Sequence, residues 1–386
     1  MSTSQLFVKI PLHPLYLLVL GLMTGIAIGI KGVTSPLLAF ATIVGITLIF
    51  LTLSIRSQAA QKYTLLGLAV AGFIVIGALR VQQKNALFDQ FYRSISYGPC
   101  AVIAKVLDIE HDYKHADHLV LTLRIKELVK KEQAVPFTSG FNFRLSIKNN
   151  HPSIPQIGDT IALTPLYFRA PPDGDYKQYL QREGIIANLN VTYITIHCLK
   201  HPHFTLRRFI FELRNRIIEG IKPSLSPMAF TMFASVFLGK KAVNAREMGT
   251  IRTQFKPWGI LHHLARAGLH MMVLVMVLQK LLGFAPLPFA ARTSLTLIII
   301  LFYTLLSWAS IPFVRAAFLS TFYSICALLK LQTNGLYILF LIACIILLNN
   351  PFHLFALDFQ LSFLITFVFS WLNALKASSK KAPSNS

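Results

Sequence analysis

Apolar residues arrive in long unbroken runs at both ends of the chain and in alternation near its middle. Three uncharged runs open the sequence, at 11–30, 32–55 and 63–79, each close to the roughly 17–25 residues that a membrane helix needs. Further apolar segments follow at 223–239, 258–282, 293–309, 311–329, 335–349 and 352–372, which predicts about nine spans in all. Within the first run Gly21, Gly25 and Gly29 recur every fourth residue. Small residues at that spacing let helices approach closely in lipid, although chance also produces the pattern.

Residues 98–200 read differently. They hold ten of the fifteen acidic residues and twelve basic ones, and their hydrophobicity alternates. Leu119, Leu121, Leu123 and Ile125 fall on one face of a strand with Thr122, Arg124 and Lys126 on the other, and Phe141, Phe143, Leu145 and Ile147 alternate with Asn142, Arg144 and Lys148. Strands also fit 101–109, 160–168 and 186–196. About five strands in a hundred residues predict a small all-β domain, with an OB-like barrel as the leading choice.

From 204 to 221 the period changes again. Leu206, Phe209, Leu213, Ile217 and Ile221 recur in steps of three and four, with Arg207, Arg208, Arg214 and Asn215 on the other side, the polar face. Such an amphipathic helix fits a membrane surface. It also fits a cover over the barrel's open end.

The expected organisation is therefore a polytopic α-helical membrane protein with an inserted β domain. Residues 1–97 carry three spans, 98–200 the barrel, 201–222 the interfacial helix, 223–375 about six further spans and 376–386 a polar tail. Composition agrees: 54% of residues are hydrophobic and 13% charged, and mean hydropathy is +0.58. This excludes an ordinary soluble globular chain. The net charge of +22 would suggest nucleic acid in a soluble protein but partly follows from cationic cytoplasmic loops in a membrane one. With Arg56 and Lys62 in an inside loop, the positive-inside rule places the barrel outside the cytoplasm. In that oxidising compartment Cys100 and Cys198, which bracket the barrel, are candidates for a disulfide, whereas Cys326 and Cys344 read as buried hydrophobes.

Polar groups inside apolar runs are costly and mark candidate sites. The densest group is Gly259-Ile-Leu-His-His-Leu-Ala-Arg-Ala-Gly-Leu-His270, where His262, Arg266 and His270 share a helical face and Gly268 weakens the helix between them. No nearby carboxylate completes a metal site, so a polar cavity lining is expected. Arg315 interrupts another apolar run, and Asp358, Gln360 and Ser362 follow Asn350-Pro351. Asp358 is the one acidic residue after Glu247, and pairing with Arg315 or Arg266 is the expected way to offset its burial. His115-Ala-Asp117-His118 resembles half of a hydrolase metal signature but sits in a predicted hairpin without a later ligand set. No phosphate loop, GxSxG elbow or HExxH occurs, so catalytic residues, metal ligands and cofactors are all read as none.

At these positions the sequence resembles the ComEC family of competence proteins. Pro172-Asp-Gly-Asp175-Tyr176-Lys-Gln-Tyr-Leu180-Gln-Arg-Glu-Gly184-Ile185 is similar to that family's PG-x-FDY…YL…GI passage, and Leu238-Gly239-Lys240 to LLLGDR, with Lys240 where the family has Asp. Residues 259–270 resemble GxSHLLAISGLH, with Leu261 and Ala267 in place of two serines and Arg266 in place of an apolar residue. Val314-Arg315-Ala316, Asn350-Pro351 and Phe359-Gln360-Leu361-Ser362-Phe363 resemble VRA…NP…GFQLSF, with Asp358 where the family has Gly. The resemblance implies a channel component in the cytoplasmic (inner) membrane for single-stranded DNA import during natural transformation. Its implied partners are single-stranded DNA, the lipid bilayer and other DNA-uptake proteins, with a homo-oligomer among the expected assemblies. Longer family members continue with further spans and a metallo-β-lactamase-like domain, so a shortened form is expected. A transporter for another solute and a non-conducting relative are the alternatives; no inverted repeat supports the former.

Overall fold

A computed structural model of the chain describes residues 14–30, 58–95, 98–111, 118–130, 133–136, 141–148, 154–172, 174–191, 194–202, 204–238, 249, 253, 256–257, 268–307, 311–331 and 335–380. The second expected span, 32–55, lies outside them. The chain divides into two compact units, Met1–Asp89 with Leu329–Ser386, and Gln90–Leu328.

In the first unit, helix α1 (Pro14–Ile30) packs on α2 (Gln58–Ser94) through its glycine face. A Cβ on Gly21 would lie 2.9 Å from the Val70 carbonyl oxygen, and one on Gly25 would overlap the backbone of Ile74. The four-residue glycine spacing is thus a seam of backbone-to-backbone contact, closed in by buried Val19, Leu22, Ile26 and Val81. Beyond the apolar run of α2, Arg80 donates from Nε and Nη2 to the Leu348 carbonyl at 3.0 and 2.7 Å. That carbonyl lies in the last turn of the apolar helix Gly335–Asn349, where no intrahelical donor remains.

The second unit begins at the end of α2, where Phe91 is fully buried against Phe141 and Phe168, and the Tyr92 hydroxyl donates to the Ile186 carbonyl at 2.6 Å. Burial raises the Tyr92 pKa, with a smaller contribution from Tyr176. Seven strands follow: β1 (Cys100–His111), β2 (His118–Lys130), β3 (Gln133–Pro136), β4 (Asn142–Lys148), β5 (Thr160–Leu166), β6 (Ile185–Asn190) and β7 (Thr195–Lys200). They form one sheet in the order β6-β4-β2-β1-β5-β7, with β3 on β2. All pairs are antiparallel except β4 with β6. The alternation expected in β2 and β4 is realised: Leu119, Leu121, Leu123 and Ile125 are buried, and so are Phe143, Leu145 and Ile147. Register keeps them on one face, Leu121 opposite Leu145 and Leu123 opposite Phe143. Each such side chain contributes about 1.5–3 kcal/mol of burial.

Two expectations need correction. The single strand expected over 186–196 is two strands, with β6 parallel to β4 and β7 antiparallel to β5 on the far side of the sheet. One run of β-favouring residues cannot show that its halves find different neighbours. Cys100 and Cys198 are not joined by a disulfide, and the Cys100 thiol donates instead to the Leu166 carbonyl at 3.2 Å. They flank β5 on opposite sides, Cys100 across from Leu166 and Cys198 across from Ile161. Two interstrand spacings of about 4.8 Å already exceed the roughly 7 Å limit on a disulfide's Cα separation.

Helix α3 (Asp175–Glu183) joins β5 to β6, and Gly184 ends it in the left-handed conformation at φ 68°. The motif Gly-Ile is thereby explained as a helix stop followed by the first residue of a strand. After β7 come α4 (Leu206–Ile221), α5 (Pro227–Phe233) running into a π turn at Ala234–Leu238, α6 (Gly268–Gly283), α7 (Phe289–Leu306) and α8 (Ile311–Leu328). The first unit is completed by α9 (Gly335–Asn349), a 3-10 turn at Pro351–Phe355 and α10 (Leu357–Lys380). Among the described residues one helix, α7, is long and apolar enough to cross a membrane; Tyr16–Ile30, Pro227–Leu238, His270–Gly283, Pro312–Leu328, Gly335–Asn349 and Leu357–Phe369 are shorter apolar helices.

Candidate functional site

Helices α6, α7 and α8 pack on one another around Met271, Ile300, Phe313, Ala316 and Ala317, all buried. His270 is half-buried and immediately precedes Met271; Arg315 is half-buried and sits between Val314 and Ala316. The structure therefore brings these two candidate residues onto neighbouring helices, each beside a member of the same core. Tyr303 on α7 lies against Phe313 with ring centroids 5.5 Å apart, and its hydroxyl donates to the Phe237 carbonyl at 2.8 Å. The π turn that offers this carbonyl is the segment entering Leu238-Gly239-Lys240. His262 and Arg266 lie outside the described residues, and Gly268 is the first residue of α6.

The remaining motif residues belong to the other unit. Asn350 is buried and its Oδ1 accepts from the Phe352 N–H at 3.2 Å, so Asn-Pro acts as the cap that starts the 3-10 turn. Asp358 is exposed in the first turn of α10, and Gln360 Nε2 reaches back to donate to the Leu354 carbonyl at 3.1 Å. Phe359 and Phe363 are buried with ring centroids 4.4 Å apart, which places the two phenylalanines of Phe-Gln-Leu-Ser-Phe inward and Gln360 and Leu361 outward. Ser362 is half-buried, its hydroxyl oxygen enclosed without a hydrogen-bond partner, and its carbonyl accepts from Thr366 at 2.9 Å. Much of this passage therefore holds its own turn together.

Several functional-looking groups were not legible in the sequence. Arg214, assigned to the polar face of the amphipathic helix, is 7% exposed and donates from Nε to the Leu306 carbonyl at 2.6 Å, capping the C-terminus of α7. Burial lowers its pKa, and Asp108 and Glu110 of β1 work in the opposite direction. Arg144, placed on a solvent face by alternation, pairs with Glu183 at 3.0 Å and donates to the Tyr179 hydroxyl at 3.1 Å. Burial opposes its charge, but Glu183, Tyr179 and Glu110 outweigh that and leave its pKa raised. Asp159, Cys198 and His201 also meet, where the sequence signal was the short spacing Cys198-Leu-Lys-His201. His118 Nδ1 lies 3.2 Å from Ser146 Oγ, while His115 and Asp117 lie outside the described residues.

Residues 245–386 match the Competence family, described as competence protein. A stretch of 193 residues is 29% identical to ComE operon protein 3 of Bacillus subtilis (strain 168), covering 50% of this chain and 24% of that relative. The chain thus matches about a quarter of the relative's length. No solved structure matches. The family match takes in α6 to α10, the helices on which the His270, Arg315 and Phe-Gln-Leu-Ser-Phe motifs lie, and together with the relative it supports the resemblance to the ComEC family of competence proteins.

Proposed function

We propose that this chain is a multi-pass component of the cytoplasmic (inner) membrane channel that imports single-stranded DNA during natural transformation, with no catalytic step of its own. The observation that carries the reading is the competence match over the helices that put His270 and Arg315 beside one core. A strand of DNA carries one phosphate per nucleotide, so its path through lipid needs water and positive charge. Arg315 in an apolar helix supplies charge at a place where lipid does not tolerate it. Large apolar side chains cover the outside of α6 and α7, Met276 being 69% and Ile298 62% exposed. Such an exterior suits a bilayer rather than water. His262, Arg266 and Gly268 are assigned to the same path from their spacing, and Asp358, Gln360 and Ser362 from their motif.

The β domain is assigned to the outer side of the membrane, as an OB-like module at the channel mouth. Its sheet order and its parallel β4–β6 pair support that class. Bilayer lipid, other DNA-uptake proteins and further copies of this chain are the partners. The test is deletion of the gene in a transformable host. Labelled DNA should still accumulate at the cell surface but fail to reach the cytoplasm, and normal cytoplasmic import would overturn the proposal.

A further inference from the structure

The turn before β5 and the end of β7 converge on three metal-ligating side chains that DNA import does not use. Asp159, Cys198 and His201 place one donor atom each within 4.8 Å of the other two. We propose that they bind a borderline-soft divalent transition cation of the zinc class, with a fourth position open to water or an external ligand.

The cluster is built by the backbone. Gly158 N–H donates to the Val106 carbonyl and Val106 N–H to the Asp159 carbonyl, both at 2.9 Å, which ties the turn to β1. The Asp159 carboxylate is fully buried, and its Oδ2 accepts from the Gln156 N–H at 2.8 Å. Its Oδ1 is enclosed and receives no aligned hydrogen bond, although His201 Nδ1 is 3.1 Å away. Residues three apart on a strand face opposite sides, so Cys198 and His201 meet only because β7 ends at Lys200 and the chain then turns. Cys198 Sγ is 3.5 Å from the same His201 Nδ1. Thr205 Oγ1, also buried without a hydrogen-bond partner, packs beside Gly158.

These spacings suit a metal. With Zn–S of about 2.3 Å and Zn–N and Zn–O of about 2.0 Å, a tetrahedral site has edges of about 3.3–3.6 Å. The edges from His201 Nδ1 are 3.5 Å to sulfur and 3.1 Å to oxygen. A buried carboxylate beside a thiol and an imidazole is short of positive charge. A divalent cation corrects this: thiolate and carboxylate balance its two charges, the neutral imidazole donates through Nδ1, and the thiol proton leaves to solvent. Desolvation, then the Asp159 carboxylate, hold the Cys198 thiol above its ordinary pKa. Binding therefore weakens as pH falls, because protons compete for the sulfur. Cys198 and the His201 ring are exposed, which leaves a route for the ion.

The test uses the full chain, purified in detergent after chelator treatment and titrated with Co²⁺. One equivalent should give a thiolate-to-cobalt charge-transfer band with tetrahedral d–d absorption, and Zn²⁺ should displace it. Cys198→Ser should abolish the charge-transfer band, and His201→Gln should weaken binding by about tenfold or more. Both positions are exposed, so the variants should elute and melt as the parent does. Zn²⁺ should also slow alkylation of Cys198, mapped by mass spectrometry. Absence of the band in the parent, its retention in Cys198→Ser, or alkylation of Cys198 at an unchanged rate would each overturn the site and leave an ordinary Asp159–His201 ion pair.

Discussion

The β sheet and the α6–α8 cluster lie in the same unit, yet they bury their side chains by different rules. In the sheet, apolar residues point inward and polar ones outward, so Phe143 and Leu145 are buried while Arg124 and Lys126 are exposed. In α6–α8 both sides are apolar: Phe313 and Ile300 are enclosed, and Ile298, Phe302 and Met276 face outward. Water sorts residues by polarity, whereas lipid does not, so in the proposed membrane setting the helices would be held by close fit and a few polar contacts. The difference is that the sheet's core can be read from composition and that of the helices cannot.

The comparison breaks most visibly at its two cores. Phe143→Ala should cost about 3–5 kcal/mol in a water-facing domain, seen as loss of protease resistance in 98–200. In the proposed membrane setting Phe313→Ala should cost clearly less, because the ring is not transferred from water there and only the cavity term remains. Equal losses would show that both regions meet the same solvent.

The polar contacts that fix helix ends come next. Arg214→Met removes a charged donor from the Leu306 carbonyl and should destabilise by about 1.5–3 kcal/mol, read as faster hydrogen exchange in the last turn of α7. Retained protection there would show that the arginine only covers the surface.

Close fit is tested at the glycine seam. Gly25→Leu forces a side chain into the backbone of Ile74 and should cost about 1–3 kcal/mol, lowering the melting temperature in detergent. A neutral result would remove the α1–α2 seam from the account. The smallest effect belongs to the partly exposed Arg144–Glu183 pair: Glu183→Gln should shift stability by about 1 kcal/mol or less and lose even that in high salt.

The same contrast explains what the sequence made legible. Alternation located β1, β2, β4 and β5 to within a few residues, because each strand carries its own solvent boundary. It missed the break between β6 and β7, because which strand each half pairs with is a long-range choice. In the helices, glycine spacing revealed the α1–α2 seam, since small residues leave a mark when bulk would collide. Arg214 and Arg80 left no comparable mark: an arginine that caps a distant helix looks like any other cation in the chain. The Asp159–Cys198–His201 meeting was hidden for the same reason, since Asp159 joins the other two only through the β5–β7 pairing. For the candidate channel residues, the motif gave identity and the fold added the adjacency of His270 and Arg315 to one core.

The claim that the α6–α8 helices carry DNA is tested most directly by Arg315→Ala, scored by import of labelled DNA into the cytoplasm at matched protein levels in the membrane. Loss of about 1.4 kcal/mol of stabilisation for a phosphate in transit would lower import about tenfold, while Arg124→Ala on the exposed face of the β domain should change it little. Normal import by Arg315→Ala, from a protein as abundant and as stable as the parent, would contradict the account.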